Sequence, residues 1–289
     1  MLEQVLQPAV SGLLAGGVYA LPAAGLTLVW GVMKIVNIAH GVLALLAAYL
    51  ALTLFQSIGI DPLLGLVALV PVFCLIGVGV HRVLIQPVAS QPEVRSLMVL
   101  FAFTIVVENV ITRVWSADFR TLSPRYAAQS YEIAGLNVSI ARAVAFVLAV
   151  ISVFGLHAIL QRTYFGKAIR ATAQNPNAAM LAGIDTRRIS FLAFGLGSGL
   201  AAIAGVALAL IYTIQPTAHV LWVVKAFLVA VLGGVANVRG ALVAGLLLGL
   251  AESYLGTFVT FRWVDFSVYV LLLLVLLFRP QGLYGKAPV

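Results

Sequence analysis

The side chains able to do chemistry in this 289-residue sequence are few, and they gather where apolar runs are interrupted. Asn37 and His40 stand three apart in Gly31-Val32-Met33-Lys34-Ile35-Val36-Asn37-Ile38-Ala39-His40-Gly41, between two strongly apolar stretches. On a helix they share a face; at a break they cluster. An amide and an imidazole so placed either hydrogen-bond a passing solute or satisfy backbone groups that the break itself sets free. Gly233-Gly234-Val235-Ala236-Asn237-Val238-Arg239-Gly240 offers the same choice for Asn237, while Arg239 either attracts a carboxylate or reaches the headgroup region and fixes topology. Helix N-termini beginning near Gly41 and Gly240 would add positive partial charge towards an acid group. Glu108 and Asn109, with Arg113 nearby, form a third cluster. An intramembrane carboxylate is a functional candidate by default, and interhelical pairing with an arginine is the preferred reading of Glu108.

Other chemistries lack their parts. No hydroxyl–imidazole–carboxylate spacing favours hydrolysis, and no second ligand stands at a useful spacing from His40 for a metal. His81, His157 and His219 are isolated and read as structural. The single cysteine, Cys74, allows neither an internal disulfide nor a thiolate cluster. Gly166-Lys167 and Gly285-Lys286 are each followed by alanine and lack the rest of a phosphate-binding loop. The chain is therefore expected to be no enzyme, to carry no cofactor and to hydrolyse no ATP by itself.

The elements that must position these residues follow from composition. The chain is 63% hydrophobic and 9% charged, against roughly 25% charged in an average soluble domain. So few charges cannot build a water-facing surface, which leaves a polytopic protein in a lipid bilayer. The formal charge of +8 would suggest nucleic acid in a soluble chain; here the basic residues lie between apolar segments and read as orientation signals, with no nucleic-acid partner. With about 20 apolar residues needed per crossing, blocks fall near 8–31, 41–55, 63–85, 96–115, 140–160, 190–214, 222–255 and 265–279. The leader MLEQVLQ has no basic residue and runs into a long apolar stretch, unlike a cleaved signal, so the first helix is expected to stay. Pro22 and Pro71 fall inside blocks, and GxxxG spacings at Gly12/Gly16, Gly195/Gly199 and Gly245/Gly249 mark faces for close helix approach within one subunit.

Both interruptions read as helix, break, helix, each with an Asn, a basic or imidazole group and flanking glycines. Their likeness suggests a degenerate internal repeat. Block 222–255 is too long for one crossing and too short for two complete ones. The expected fold is all-α, a single membrane domain over 1–289 of about eight to nine membrane segments, two of them broken or re-entrant. Irregular backbone at membrane depth survives only where it is buried in protein or lines a watery cavity, which makes the breaks the expected solute-contacting elements. Lys34 and Lys225 have stems long enough to snorkel, and Glu252 is expected near an interface.

Charge asymmetry orients the chain. Arg162, Lys167, Arg170, Arg187 and Arg188 against Asp185 give segment 161–188 a net +4, whereas Arg120 and Arg125 balance Asp118 and Glu132 in 116–139. The positive-inside rule puts 161–188 in the cytoplasm and 116–139 outside, with the N-terminus outside. Arg279 and Lys286 favour a cytoplasmic tail. Within 161–188, Asn175-Pro176 is an N-cap followed by proline at the first helical position, and Gly183 is a C-cap. A short helix with exposed Met180 and Leu181 is expected, to be covered by a partner protein or laid against headgroups.

The stretch Gly166-Lys167-Ala168-Ile169-Arg170-Ala171-Thr172-Ala173-Gln174-Asn175, continuing to Ala182-Gly183-Ile184-Asp185, resembles the coupling segment of Liv-type permeases, the membrane subunits of ABC importers for branched-chain amino acids. Asn37-Ile38-Ala39-His40-Gly41, Lys225-Ala226-Phe227, Ala230-Val231-Leu232-Gly233-Gly234 and Gly240 through Glu252 extend the resemblance in order over nearly the whole chain. Val42 departs from it, standing where many members have a small or acidic residue. The resemblance implies a bacterial inner-membrane permease that pairs with a second, homologous permease, two cytoplasmic ABC ATPase subunits and a periplasmic solute-binding protein. It implies alternating access driven by ATP for branched-chain amino acids or related small polar or carboxylated solutes. Gly166, Arg170, Asn175, Pro176, Met180, Leu181, Gly183 and Asp185 would serve coupling; Asn37, His40, Gly41, Glu108, Asn237 and Arg239 are the candidates for the solute pathway. A secondary transporter or channel is the alternative, since broken helices suit it equally.

Overall fold

The computed structural model describes residues 2–89, 91–133, 135–234, 237–259, 261–278 and 281–284. Arg279 and Lys286, which favour a cytoplasmic tail, and Val235 and Ala236 of the second break lie outside the described residues, as does Gly285.

In hydrocarbon every backbone polar group must be satisfied internally, and the apolar blocks accordingly fold as helices: α1 (Leu2–Met33), α2 (His40–Ile58), α3 (Pro62–Val80) and α4 (Glu93–Trp115). They are followed by α5 (Ile140–Arg162), α6 (Tyr164–Gln174), α7 (Pro176–Leu181), α8 (Thr186–Ile211), α9 (Ala218–Gly233), α10 (Val238–Phe258) and α11 (Phe261–Phe278). A π-helical turn, His81–Ile85, and a 3-10 turn, Gln86–Val88, extend α3. Seven helices among the described residues are long and apolar enough to cross a membrane, and two shorter apolar helices, Ala218–Gly233 and Trp263–Phe278, join them. The chain is a polytopic helical membrane protein.

A strand pair and one helix start depart from the sequence expectations. Segment 116–139 carries an antiparallel hairpin, β1 (Ser130–Ile133) with β2 (Leu136–Ser139), turned at Gly135 with φ +78°. Block 222–255 is the expected helix, break, helix, as α9 and α10, but the first begins earlier, at Ala218. They run antiparallel: Gly233 packs on Gly240 near the turn and Lys225 meets Glu252 farther along.

Small residues decide the core. Gly12 faces Gly249 and Gly16 faces Gly245, so two GxxxG faces press α1 and α10 together antiparallel within one subunit. A Cβ on Gly245 would sit 2.6 Å from the Gly16 carbonyl oxygen. Gly195 and Gly199 of α8 likewise receive Cys74 and Val78 of α3. α1 and α8 are thereby buried, while α4 and α5 keep apolar side chains such as Phe101, Ile105, Ile151 and Phe154 exposed, as lipid-facing surfaces do.

The two ends differ. At one, Gln7 exchanges two 2.8 Å hydrogen bonds with the Asn137 backbone, Tyr254 donates to the Val5 carbonyl at 3.0 Å, and Arg120 bridges to Ile214. There the Tyr126 hydroxyl reaches Asp61 Oδ1 at 3.4 Å; burial and that carboxylate push its pKa well above the usual tyrosine range. The other end holds α6, α7 and the basic residues of 161–188. We refer to them as the hairpin end and the basic end.

Candidate functional site

A cavity of about 900 Å³ enters from the hairpin end, with exposed Glu3, Gln4 and Asp265 at its mouth and Tyr19, Pro22 and Trp222 in its depth. Lys225 and Glu252 line it as an ion pair, Nζ lying 2.9 Å from Oε1 and 3.1 Å from Oε2. Their side chains are only 11% and 9% exposed. The Tyr19 hydroxyl stands 3.4 Å from Nζ and 2.6 Å from the Tyr212 hydroxyl, and the ammonium lies 4.7 Å above the Tyr19 ring centre. Lys225 therefore does not snorkel; it is held inside the bundle as an ion pair with Glu252.

The local sequence explains the meeting. Gly234, at φ +93°, adopts a backbone conformation that L side chains rarely take. Asn237 then caps α10, its side-chain oxygen accepting from the Gly240 N–H at 3.0 Å. The reversal lays α9 against α10, and the glycines of α10 hold that helix on α1, which carries Tyr19. No sequence motif signals the pair. A signal did exist: opposite charges on the two flanks of one break, which a helical hairpin brings face to face.

The first break is built differently from its expectation. Gly31 is helical, and the left-handed residue is exposed Lys34, at φ +59°. The chain then turns back inside the bundle. His40 packs over Gly25, where a Cβ would lie 2.7 Å from the ring Cε1, and Gly41 lets α2 approach the His219 carbonyl. Asn37 and His40 are buried; neither side-chain N or O atom of Asn37 has a hydrogen-bond partner among the described residues, while the His40 ring meets the Pro22 backbone. They line neither cavity described here.

Asn237 and Arg239, by contrast, line a second cavity of about 380 Å³ at the basic end, shared with Thr27 of α1, His157 of α5 and Arg170 of α6. Arg239 engages His157, with Nη2 at 2.7 Å and Nε at 3.1 Å from Nε2. His157 is thus not isolated. Glu108 stands apart from both cavities and meets His219 Nε2 at 3.8 Å, while His219 Nδ1 contacts the Pro216 carbonyl at 2.9 Å. The arginine partner expected for Glu108 is replaced by this imidazole. Arg113, on the same helix, is rotated from it by about 140° at 100° per residue.

The basic segment is anchored at several points. Thr163 caps α6 by accepting from Gly166 N–H, Asn175 caps α7 by accepting from Ala178 N–H at 3.0 Å, and Asp185 caps α8 by accepting from Arg188 N–H at 2.9 Å. Pro176 opens α7, and Gly183, at φ +82°, follows its C-cap residue Ala182. Gly166 lets α6 fold tightly onto the end of α5, where Arg170 donates to the Leu160 carbonyl. Met180 is 53% exposed and Leu181 91% exposed. Among the described residues no cluster of His, Cys, Asp and Glu could hold a metal ion.

The sequence is similar to known proteins over nearly all of its length. It is 34% identical to the high-affinity branched-chain amino acid transport system permease protein BraD of Pseudomonas aeruginosa, over 98% of this chain and 97% of that one. It is 29% identical to the high-affinity branched-chain amino acid transport system permease protein LivH of Escherichia coli strain K12, over 98% and 96% of the two chains. To the probable branched-chain amino acid transport permease protein LivH of Methanocaldococcus jannaschii it is 28% identical, over 92% and 88%. No solved structure matches. The family described as "Branched-chain amino acid transport system / permease component" matches residues 9–277, and the chain belongs to that family.

Proposed function

We propose that this chain is the membrane-spanning permease subunit of an ABC importer, carrying branched-chain amino acids across the bacterial inner membrane. In this reading the hairpin end faces the periplasm and receives solute from a binding protein. A second, homologous permease lies alongside, and two ATPase subunits dock on α6–α7 in the cytoplasm. The observation that carries the reading is Leu181, held almost fully exposed on a capped helix at the end opposite the cavity mouth. A rigid apolar knob suits a groove on a partner.

The contacts supply a route for the stroke. Arg170 ties α6 to the end of α5, His157 of α5 holds Arg239, and Arg239 stands at the turn between α9 and α10. ATP-driven movement of α6 would thus be felt at the second break, whose flanking Asn237 and Arg239 line the basic-end cavity. Asn37, buried without a partner among the described residues, is a group that gains hydrogen bonds in another arrangement of the first break or on passage of a polar solute. Affinity purification from the native membrane tests the assembly: a second permease and two ATPase chains per complex are expected. Recovery of this chain by itself, under conditions that preserve other ABC complexes, would contradict it.

A further inference from the structure

We propose that Lys225, Glu252 and Tyr19 form a receiving site for a net-neutral zwitterionic amino acid, whose carboxylate takes Glu252's place at the ammonium while its ammonium takes Lys225's place at the carboxylate. The proposal rests on the transport reading above and names the solute-contacting groups within it.

Burying an ion pair is a weak way to stabilise a fold, because desolvation offsets most of the attraction. This pair also faces a cavity of about 900 Å³ rather than sealed core. Its two charges cancel, and so do those of a zwitterion, so exchanging internal for external partners leaves no uncompensated charge in a low-dielectric wall. A solute with a single net charge would leave one. Tyr19 serves both states: its ring face already holds an ammonium at 4.7 Å, and its hydroxyl, fixed by Tyr212 at 2.6 Å, lies 3.4 Å from Nζ. Trp222 and Leu221 add apolar surface beside the charges for an aliphatic side chain.

The placement ties occupancy to movement. Lys225 and Glu252 stand on the two arms of the α9–α10 hairpin, so parting them for a solute loads the hairpin whose turn adjoins α6 across the basic-end cavity. Replacing an internal contact between the arms by a solute bridge lets the arms move relative to each other only when cargo is present.

The test uses the complete transporter, with both permeases, ATPases and binding protein, in proteoliposomes supplied with ATP and labelled leucine. The double variant Lys225→Met/Glu252→Gln removes both charges, so a purely structural pair predicts uptake within twofold of wild type. The site predicts that the complex assembles, as judged by gel filtration, and that uptake falls at least tenfold. Tyr19→Phe keeps the packing and loses the hydroxyl; a severalfold fall in uptake is expected, and unchanged uptake would overturn the proposal even if the double variant failed to accumulate. A wild-type complex that takes up no leucine would instead overturn the transport reading, and the site with it.

Discussion

Leu181→Asp separates docking from folding because the side chain contributes to only one of them. At 91% exposure, Leu181 gives the isolated subunit almost no burial energy. Its substitution should leave stability within about 0.5 kcal/mol of wild type. In an apolar groove of a partner the same side chain is worth about 1.5–3 kcal/mol. At 1.4 kcal/mol per tenfold, its loss weakens docking by about 10- to 100-fold, and an unpaired carboxylate in the groove adds to this. The assay is a binding titration of ATPase subunits against the purified permease pair, run beside ATP-driven uptake, with Leu181→Ala as the intermediate case. The expected order of affinity is wild type, then Ala, then Asp, at equal thermal stability. An Asp variant that binds ATPase within twofold of wild type and transports normally would refute α7 as the docking element.

Five other substitutions probe the remaining contacts. Asn237→Ala should lower stability by about 1 kcal/mol through loss of the α10 cap, whereas Asn37→Ala should not, since removing a partnerless buried amide returns its desolvation cost. Both should alter transport; thermal unfolding and uptake of the two variants, measured together, check this. Gly245→Val should cost about 1–3 kcal/mol by forcing side chain onto the Gly16 carbonyl, and an unchanged melting temperature would contradict the close α1–α10 contact. Arg170→Ala frees α6 from the Leu160 carbonyl, so ATPase should still bind while leucine moved per ATP falls. Tyr126→Phe bears on alkaline stability. The folded-state pKa of Tyr126 is raised, so its contribution is complete below the unfolded value of about 10 and is lost as pH rises above it. Unfolding curves of the Phe variant should lack that alkaline fall.

Hydropathy alone located the membrane segments, because the lipid requirement for satisfied backbone leaves helices as the outcome of long apolar runs. Boundaries within α7 were equally readable: Asn175, Pro176 and Gly183 act through local backbone geometry, which needs no distant partner. The GxxxG faces were readable as close contacts, although which helix each would meet was not. What sequence reading lost was everything made by chain reversal. Lys225 looks like a snorkelling residue until the turn at Gly234 lays α9 against α10 and Glu252 meets it. Tyr19 and Tyr212 have no local pattern, and Glu108 takes His219 because helix position rather than sequence nearness sets its neighbours. The first break lies where the apolar pattern places it, but its turn is carried by Lys34 rather than by a glycine. Neither hydropathy nor spacing distinguishes a buried orphan such as Asn37 from a cap such as Asn237, because only tertiary contacts supply or withhold the partner.

Uptake of labelled leucine into proteoliposomes tests most directly whether this chain works as an ATP-driven permease subunit. Vesicles holding the permease pair with its ATPases, given ATP and loaded binding protein, should accumulate leucine, and omission of any one of them should abolish it. Accumulation by this chain alone, driven by an ion gradient without ATPase subunits, would contradict it.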